Sequence, residues 1–225
     1  PVAPLPVQYA DFAIWQRAVL GGEDDAESLL AAQAEYWKRT LAGLPDELNL
    51  PMDRPRPSIQ SFTGGKIEFV LGADLHRGLA ALARSTGTTM FMVMHTALAV
   101  FLSRISDSDD IAIGTPIAGR GESEVDDLVG MFVNTLVLRT RVDAGKSFSD
   151  LLSRVREGDL EAFAHADIPF ERLVEILAPE RSTARHPLFQ VALSFENLPE
   201  TALELPELTV SGVPSRSTPS SSTCR

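Results

Sequence analysis

Residues 88–120 read TTMFMVMHTALAVFLSRISDSDDIAIGTPIAGR, and this stretch decides the fold class. Its apolar run over 90–102 follows two threonines that can cap a helix, and a polar turn ends the helical pattern. The run is shorter than the about 20 residues that span a bilayer, and it contains His95 and Thr96, so it predicts a buried helix. A strand over 111–117 follows at once. A buried helix next to a strand is typical of α/β proteins.

The flanking sequence continues this alternation of helices and strands. Helices are predicted in two pieces over 9–44 and from Asp74 to Gly87. Two more are predicted to begin at Ser147 and near Pro169, and Asp150 completes a variant of the capping box with Ser147. Further strands are predicted over 66–71, 133–142 and 188–195, with a weaker edge strand over 205–210. Three prolines within 51–57 make 48–57 an extended connector. We therefore predict a mixed sheet of about five strands with helices packed on it.

Length and composition narrow the class of protein. The chain has 225 residues, 44% of them hydrophobic, which suffices for one large domain whose core needs no metal or disulfide. The single cysteine, Cys224, excludes an intrachain disulfide scaffold. With 31 acidic and 20 basic residues the net charge is −11, which disfavours nucleic acid and anionic membranes as partners.

Two expectations concern the ends of the chain. The sequence opens on Pro1 without a charged segment and an apolar stretch of the kind that directs export, so a cytoplasmic location is expected. The Ser- and Thr-rich segment 214–225 has nothing to bury. It is expected to be a mobile tail or a truncated connection that follows a domain over 1–213.

None of the portable catalytic or metal-binding motifs is present. The sequence contains no G-x-S-x-G, C-x-x-C or H-E-x-x-H pattern and no complete phosphate-binding glycine loop. The four histidines lie on separate predicted elements, without the spacing that a metal site needs. His95, inside an apolar helix, is interpreted as a hydrogen-bonded core residue rather than a general base. Arg139 and Arg141, on the polar side of a predicted strand, are interpreted as solvent-facing.

Two polar residues stand out because they are set into apolar sequence at the ends of strands. Arg120 ends a buried strand, and an arginine there needs a carboxylate partner. Asp126 and Asp127 could supply that carboxylate within this chain, and the alternative is a partner elsewhere. Asn134 begins the next strand, and its amide must bind either the backbone or a bound amide or thioester. The residues alone leave both alternatives open.

Five sequence motifs, in this order along the chain, resemble those of the condensation domain of nonribosomal peptide synthetases. They are Tyr9-Ala-Asp-Phe-Ala-Ile-Trp15, Ile113-Gly-Thr-Pro-Ile-Ala-Gly-Arg120, Gly130-Met-Phe-Val-Asn-Thr135, His165-Ala-Asp-Ile-Pro-Phe-Glu171 and Arg181-Ser-Thr-Ala-Arg-His-Pro-Leu-Phe-Gln190. The family's active-site motif, H-H-x-x-x-D-G, is not in this sequence. The resemblance therefore implies the C-terminal lobe of a chloramphenicol-acetyltransferase-like (CoA-dependent acyltransferase-like) α/β fold, with lobe-junction helices and the connector over 1–60. It also implies that this lobe is incomplete at both ends and inactive alone.

The resemblance further implies a reaction. Such a domain joins an acyl or peptidyl thioester to an aminoacyl thioester, each carried on the phosphopantetheine arm of a carrier protein, and it binds no cofactor directly. The implied partners are upstream and downstream carrier domains, the N-terminal lobe and a neighbouring adenylation domain, with no nucleic acid and no membrane. The alternatives are an epimerization or cyclization domain on the same fold and a non-catalytic lobe that docks carrier proteins.

The resemblance also implies roles for individual residues. Asn134 would position the reactants in the tunnel between the two lobes, and Arg120 would pair with the aspartate of the active-site motif. Structural or interface roles are implied for Tyr9, Trp15, Pro169, Phe170 and Gln190.

Overall fold

The fold is a small mixed sheet with helices on both faces. The computed structural model describes residues 5–196 except positions 23, 62, 122 and 181. The helices are α1 (Tyr9–Leu20), α2 (Leu29–Thr40), α3 (Ala73–Thr86), α4 (Met90–Ser106), α5 (Phe148–Ala164) and α6 (Phe170–Leu177). The strands are β1 (Asp110–Ile117), β2 (Asn134–Arg141) and β3 (Val191–Ala192), and a single 3₁₀ turn spans Ser123–Val125.

The sheet has the strand order β2-β1-β3 in the described part of the chain. β1 and β2 are antiparallel in a register that pairs Asp110 with Arg141 and Ile117 with Asn134, whereas β3 runs parallel to β1. A mixed sheet flanked by helices is therefore confirmed. The predicted helices also form, including the break at Gly21 and the end of α3 at Gly87, whose φ of 62° suits a residue without a side chain.

Helices cover both faces of the sheet. Neighbouring residues of a strand point to opposite faces, and Thr140 meets His95 of α4 whereas Arg139 reaches the carbonyl of Thr40 at the end of α2. α4 and α5 pack on each other and on the strands, and α2 packs on α6 across the opposite face. The largest core cluster joins α2, β2 and α6 around Trp37, which is 1% exposed.

Two predicted strands differ from the structure. The segment 66–71 forms no strand, and Ile67, Phe69 and Val70 are largely exposed. A strand needs a neighbour that completes its hydrogen-bond ladder, and no strand in the described ranges lies beside this segment. The strand predicted over 188–195 shortens to β3. At its N-terminal side Leu188 adopts a φ of 66°, which is not extended backbone.

The described sheet consequently has three strands rather than five. The predicted strand over 205–210, the tail over 214–225 and Cys224 lie outside the described residues. Among the described residues, no helix has by itself the length and hydropathy to cross a membrane; α3 and α4 meet those criteria only as a pair, which bends by 105° at the break between them.

The N-terminus of α5 carries the capping box that the sequence predicts. The Ser147 hydroxyl accepts a hydrogen bond from the Asp150 amide at 3.2 Å and donates to the Asp150 carboxylate at 2.8 Å, and the Ser147 amide donates to the same oxygen at 3.2 Å. The Ser147 hydroxyl and amide lower the pKa of the Asp150 carboxyl below its ordinary value of 3.8. A lowered carboxyl pKa stabilises the fold at pH values above the ordinary pKa, and this contribution is lost as the pH falls through the lowered pKa.

Ser147→Ala is therefore expected to raise the pKa of Asp150 towards 3.8 and to weaken this acid-side dependence of stability, because the hydroxyl is lost while the backbone amide at position 147 still donates. The measurement is an NMR titration of the Asp150 carboxyl together with melting temperatures recorded from about pH 3 to about pH 6. Ser149→Ala, on the same turn of α5, is the matched control and should leave the titration unchanged. An unaltered Asp150 titration in Ser147→Ala would show that the cap is not populated in solution.

Candidate functional site

Asn134 binds one loop through its whole side-chain amide. We call residues 165–170 the clamped loop. From the start of β2, Asn134 Nδ2 donates to the carbonyls of Ala166 at 2.8 Å and Ile168 at 2.9 Å, and its Oδ1 accepts from the Phe170 amide at 3.0 Å. The same oxygen also accepts from the Thr135 amide at 2.8 Å. A carboxamide offers two donors and one acceptor oxygen with two lone pairs, so every hydrogen-bonding position of Asn134 is occupied by backbone.

Gln33 holds the clamped loop from the other side. Its side chain is 1% exposed; Nε2 donates to the Asp167 carboxylate at 2.6 Å, and Oε1 accepts from the Ile168 amide at 2.9 Å. One turn further along α2, Trp37 Nε1 donates to the His165 carbonyl at 2.8 Å. The loop is therefore bound by side chains from α2 and β2, two elements that are distant in sequence.

His165, the first residue of the clamped loop, stacks on Tyr36. The two ring centroids are 3.8 Å apart and the planes lie within 8° of parallel. His165 Nδ1 also lies 2.8 Å from the Glu161 carbonyl, to which it can donate. Burial raises the pKa of the Tyr36 phenol, so Tyr36 offers a neutral ring face to the imidazole.

The remaining motif residues of this region tie the clamped loop to the last strand. Pro169 stands at the N-cap of α6, and the Phe170 ring lies 5.4 Å from the His186 ring and 5.8 Å from Phe189. Gln190 Oε1 accepts from the Leu48 amide at 2.8 Å, which fastens the start of the proline-rich connector. Its Nε2 donates to two carbonyls, at 3.4 Å and 3.3 Å.

Arg120 binds main-chain oxygens rather than the predicted carboxylates of Asp126 and Asp127. Its guanidinium donates to the carbonyls of Val125, of Asp126 at 3.3 Å and of Leu128 at 2.8 Å. We call residues 121–128, between β1 and β2, the acidic loop. Three of its carbonyls, at positions 125, 126 and 128, surround the guanidinium because this loop curls through the 3₁₀ turn. Among the described residues, no carboxylate lies within ion-pair distance of Arg120.

An aromatic cluster packs beneath Arg120. The guanidinium lies 4.1 Å above the Phe132 ring, which Phe12 and Tyr9 of α1 contact at centroid distances of 4.8 Å and 5.3 Å. The Tyr9 hydroxyl donates to the Met131 carbonyl at 2.8 Å. Trp15 lies 5.8 Å from Phe12 and keeps 46% of its surface exposed. The first three sequence motifs thus meet at one place.

His95 is a hydrogen-bonded core residue, as its sequence context predicts. Its ring, 1% exposed, lies 3.0 Å from the Asp159 carboxylate through Nδ1 and 3.3 Å from the Thr140 hydroxyl through Nε2. Asp159 is 2% exposed. The three side chains join α4, α5 and β2 on the face of the sheet opposite the clamped loop's anchor on α2.

Arg139 is not solvent-facing, which corrects the sequence interpretation. Its side chain is 7% exposed and binds the Asp110 carboxylate at 2.8 Å and 2.6 Å, and it also donates to the carbonyls of Thr40 and Ala42. The β1–β2 register places Arg139 opposite Ala112, two positions from Asp110 on the same face of the sheet, close enough for this side-on ion pair. Arg141, 73% exposed, does face solvent.

The arrangement holds loops in place rather than presenting a free reactive group. Within the described ranges, every buried side-chain nitrogen and oxygen has a hydrogen-bond partner, and no three His, Cys, Asp or Glu side chains converge on a metal position. For Asn134 the structure shows the backbone-binding alternative. Substrate contact by Asn134 stays a prediction. Gln33 and Trp37 are not among the predicted site residues, although Gln33 stands at helical spacing among the apolar Leu30, Ala34 and Trp37, which marks it as a buried polar residue.

The comparisons with known proteins agree on one family. Residues 1–222 match the family described as "Condensation domain". The chain is 52% identical over 206 residues to a probable non-canonical nonribosomal peptide synthetase, CymA, of Salinispora arenicola, covering 92% of this chain and 3% of that protein. It is 51% identical to a dimodular nonribosomal peptide synthase of Bacillus subtilis, covering 92% of this chain and 9% of that protein.

Solved structures agree with this family. The X-domain in complex with OxyB from teicoplanin biosynthesis superposes with a TM-score of 0.81 at 37% identity, covering 85% of this chain and 42% of that one. The chain thus spans less than a tenth of the two curated relatives and under half of this solved domain.

Proposed function

The chain belongs to the condensation domain family, and from that premise we propose that it is the C-terminal-lobe part of a domain that forms peptide bonds. The donor is an acyl or peptidyl thioester on one carrier protein, and the acceptor is the amine of an aminoacyl thioester on another. Each substrate is presented on a phosphopantetheine arm, so carrier domains are the proposed partners, with an adenylation domain as neighbour. The match over residues 1–222 is the observation that carries this proposal.

The geometry supports a positioning role within such a domain. Holding two reactants in line can lower the activation barrier by about 7–11 kcal/mol without any group that gains or loses a proton. Asn134 and Gln33 fix the clamped loop by hydrogen bonds to its backbone. We assign Asn134 as a positioning residue that acts through this loop, beside its predicted contact with the reactants.

Arg120 keeps donors for a further partner. A guanidinium has five N–H donors, and three of them bind the carbonyls of the acidic loop. The Nε–H and one Nη2–H have no partner among the described residues. These two donors suit a carboxylate in side-on geometry, which supports the proposal that Arg120 pairs with an aspartate of the active-site motif.

The test compares Asn134→Ala with Gln33→Ala in a complete synthetase module that carries this chain, with both carriers preloaded. Because both side chains hold the same loop, we expect each variant to slow amide formation by about tenfold or more. Asn49→Ala, an exposed asparagine in the connector, is the matched control and should leave the rate unchanged.

The outcomes separate the assignments. Slowing in Asn134→Ala alone, with Gln33→Ala at the control rate and both variants folded, would replace the positioning role by direct contact with the reactants. Absence of amide product from the unaltered module with loaded carriers would overturn the proposed function itself.

A further inference from the structure

The outer edge of β2 has main-chain groups that no described residue binds. The Val142 amide donates to the Asp109 carbonyl at 2.7 Å. Because Val142 follows β2 directly, this bond decides which residues of β2 direct their main-chain groups towards β1. In such a ladder, alternate residues direct both N–H and C=O to the partner strand. Leu138 and Thr140 therefore face β1, and the N–H and C=O of Arg139 and Arg141 point away from it.

A second hydrogen bond confirms this alternation of inward and outward main-chain groups. Gly114 lies opposite Val137 in the register, and its carbonyl accepts from the Leu193 amide at 2.8 Å on the far side of β1. Gly114 thus faces away from β2, as the alternation requires. Within the described ranges, no residue bonds to the main chain of Arg139 or Arg141 along the outer edge. In the part of the chain that the structure describes, β2 is therefore an unpaired sheet edge, which is a template for another strand.

A groove runs along this edge between α2 and α5. Its volume is about 200 Å³, and five consecutive β2 residues, 137–141, line it. Tyr36 and Thr40 of α2 line one wall, and Arg154 and Gly158 of α5 line the other. We call this space the β2 groove.

Gly158 keeps the α5 wall of the β2 groove clear. A glycine inside a helix costs about 1 kcal/mol relative to alanine, and Gly158 lies well inside α5. A Cβ at this position would meet nothing within 4 Å, so packing inside the chain does not require glycine here. Close approach of another backbone is one reason for glycine at such a wall.

The exposed charged side chains that line the β2 groove are arginines, although the chain as a whole carries −11. They are Arg141 and Arg154; the Arg141 guanidinium also lies 3.7 Å from the Asp110 carboxylate, which stands outside the lining. The carboxylate among the lining residues, that of Asp159, is buried and bound to His95. A carboxylate-bearing partner fits these arginines, whereas a basic partner does not.

We propose that an extended polypeptide segment bearing acidic side chains adds to the outer edge of β2 as a further strand. The partner pairs with the N–H and C=O groups of Arg139 and Arg141, and its carboxylates meet Arg141 and Arg154. Main-chain hydrogen bonds supply affinity in this mode of recognition, and alternate side chains supply specificity. The inference goes beyond the proposed function, since it requires no peptide-bond chemistry.

Amide hydrogen exchange in the 225-residue chain tests the edge itself. We expect the inward amides of Leu138 and Thr140 to exchange about a hundredfold more slowly than the outward amides of Arg139 and Arg141. Equal exchange of the two pairs, fast or slow, would overturn the proposal, because the edge would then be unformed or already covered. Protection of Arg139 that grows with protein concentration would assign the edge to a second copy of the chain instead, which also overturns it.

Binding of a defined probe tests the partner's chemistry. The acetylated, amidated peptide Val-Glu-Val-Glu-Val should slow exchange of the Arg139 and Arg141 amides and bind about tenfold more tightly than Val-Lys-Val-Lys-Val. Its N-methylated form, which lacks strand donors, should not bind. Gly158→Leu fills the β2 groove and should abolish binding, whereas Gly78→Leu, at an open helical glycine of α3, should not. Equal affinity for both peptides, or unchanged binding in Gly158→Leu, would refute the proposal.

Discussion

Asn134→Ala is expected to lower the free energy of unfolding by about 4 kcal/mol, because each buried polar group left without a partner costs about 1–3 kcal/mol. The substitution removes the partners of the Ala166 and Ile168 carbonyls and of the Phe170 amide. Ile168 is 2% exposed, so water cannot replace the lost bond there without opening the loop. This loss exceeds that of an ordinary surface substitution several-fold.

Urea unfolding of the chain, followed by tryptophan fluorescence, measures this effect. Asn49→Ala is the matched control and should stay within about 0.5 kcal/mol of the unaltered chain. Asn134→Asp keeps the acceptor for the Phe170 amide but sets an oxygen against the Ala166 and Ile168 carbonyls, so it should cost as much as alanine. A loss below about 1 kcal/mol in Asn134→Ala would mean that Gln33 and Trp37 hold the clamped loop by themselves.

Local sequence predicted the helices well because their ends depend on neighbouring residues. Thr89 and Ser147 accept hydrogen bonds from amides three residues ahead, and Gly87 takes a left-handed conformation. Each of these contacts is made within one turn of the helix. The sequence pattern and the structure therefore agree on where α3, α4 and α5 begin or end.

Strands were less predictable, because a strand depends on what lies beside it. The 66–71 segment has the alternation of a strand, yet Ile67 and Val70 are almost fully exposed and no described strand pairs with it. Residues 110–117 and 134–141 carry no stronger alternation but find each other across the acidic loop. The alternation of apolar and polar residues predicts which face of a strand is buried, but it does not predict which strand pairs with its edges.

The candidate site shows the same division. Residue type indicated that Asn134 and Arg120 need partners, and both have them. The partners themselves are backbone groups of loops, 32 residues along the chain for Asn134 and five to eight residues along for Arg120. Any residue type can offer a carbonyl, so the sequence has no pattern that names such a partner.

Asp110→Ala is expected to lower the free energy of unfolding by about 3–5 kcal/mol, since it leaves a buried guanidinium without its carboxylate. Arg139 binds Asp110 through Nε and Nη2 at 2.8 Å and 2.6 Å, and the two side chains are 7% and 12% exposed. The hydrogen bond to Asp110 raises the pKa of Arg139. Even without that bond a guanidinium stays protonated at neutral pH, so the arginine cannot relieve the loss by releasing its proton.

A matched control and a second substitution separate the loss of the ion pair from other effects of changing β1. Asp109→Ala changes the adjacent, exposed aspartate and should cost less than about 0.5 kcal/mol. The double variant Asp110→Ala with Arg139→Met should recover most of the lost stability, because replacing both members of a buried ion pair by apolar groups is often neutral. If Asp110→Ala costs no more than its neighbour, the carbonyls of Thr40 and Ala42 suffice for Arg139, and the ion pair contributes little to joining β1, β2 and the end of α2.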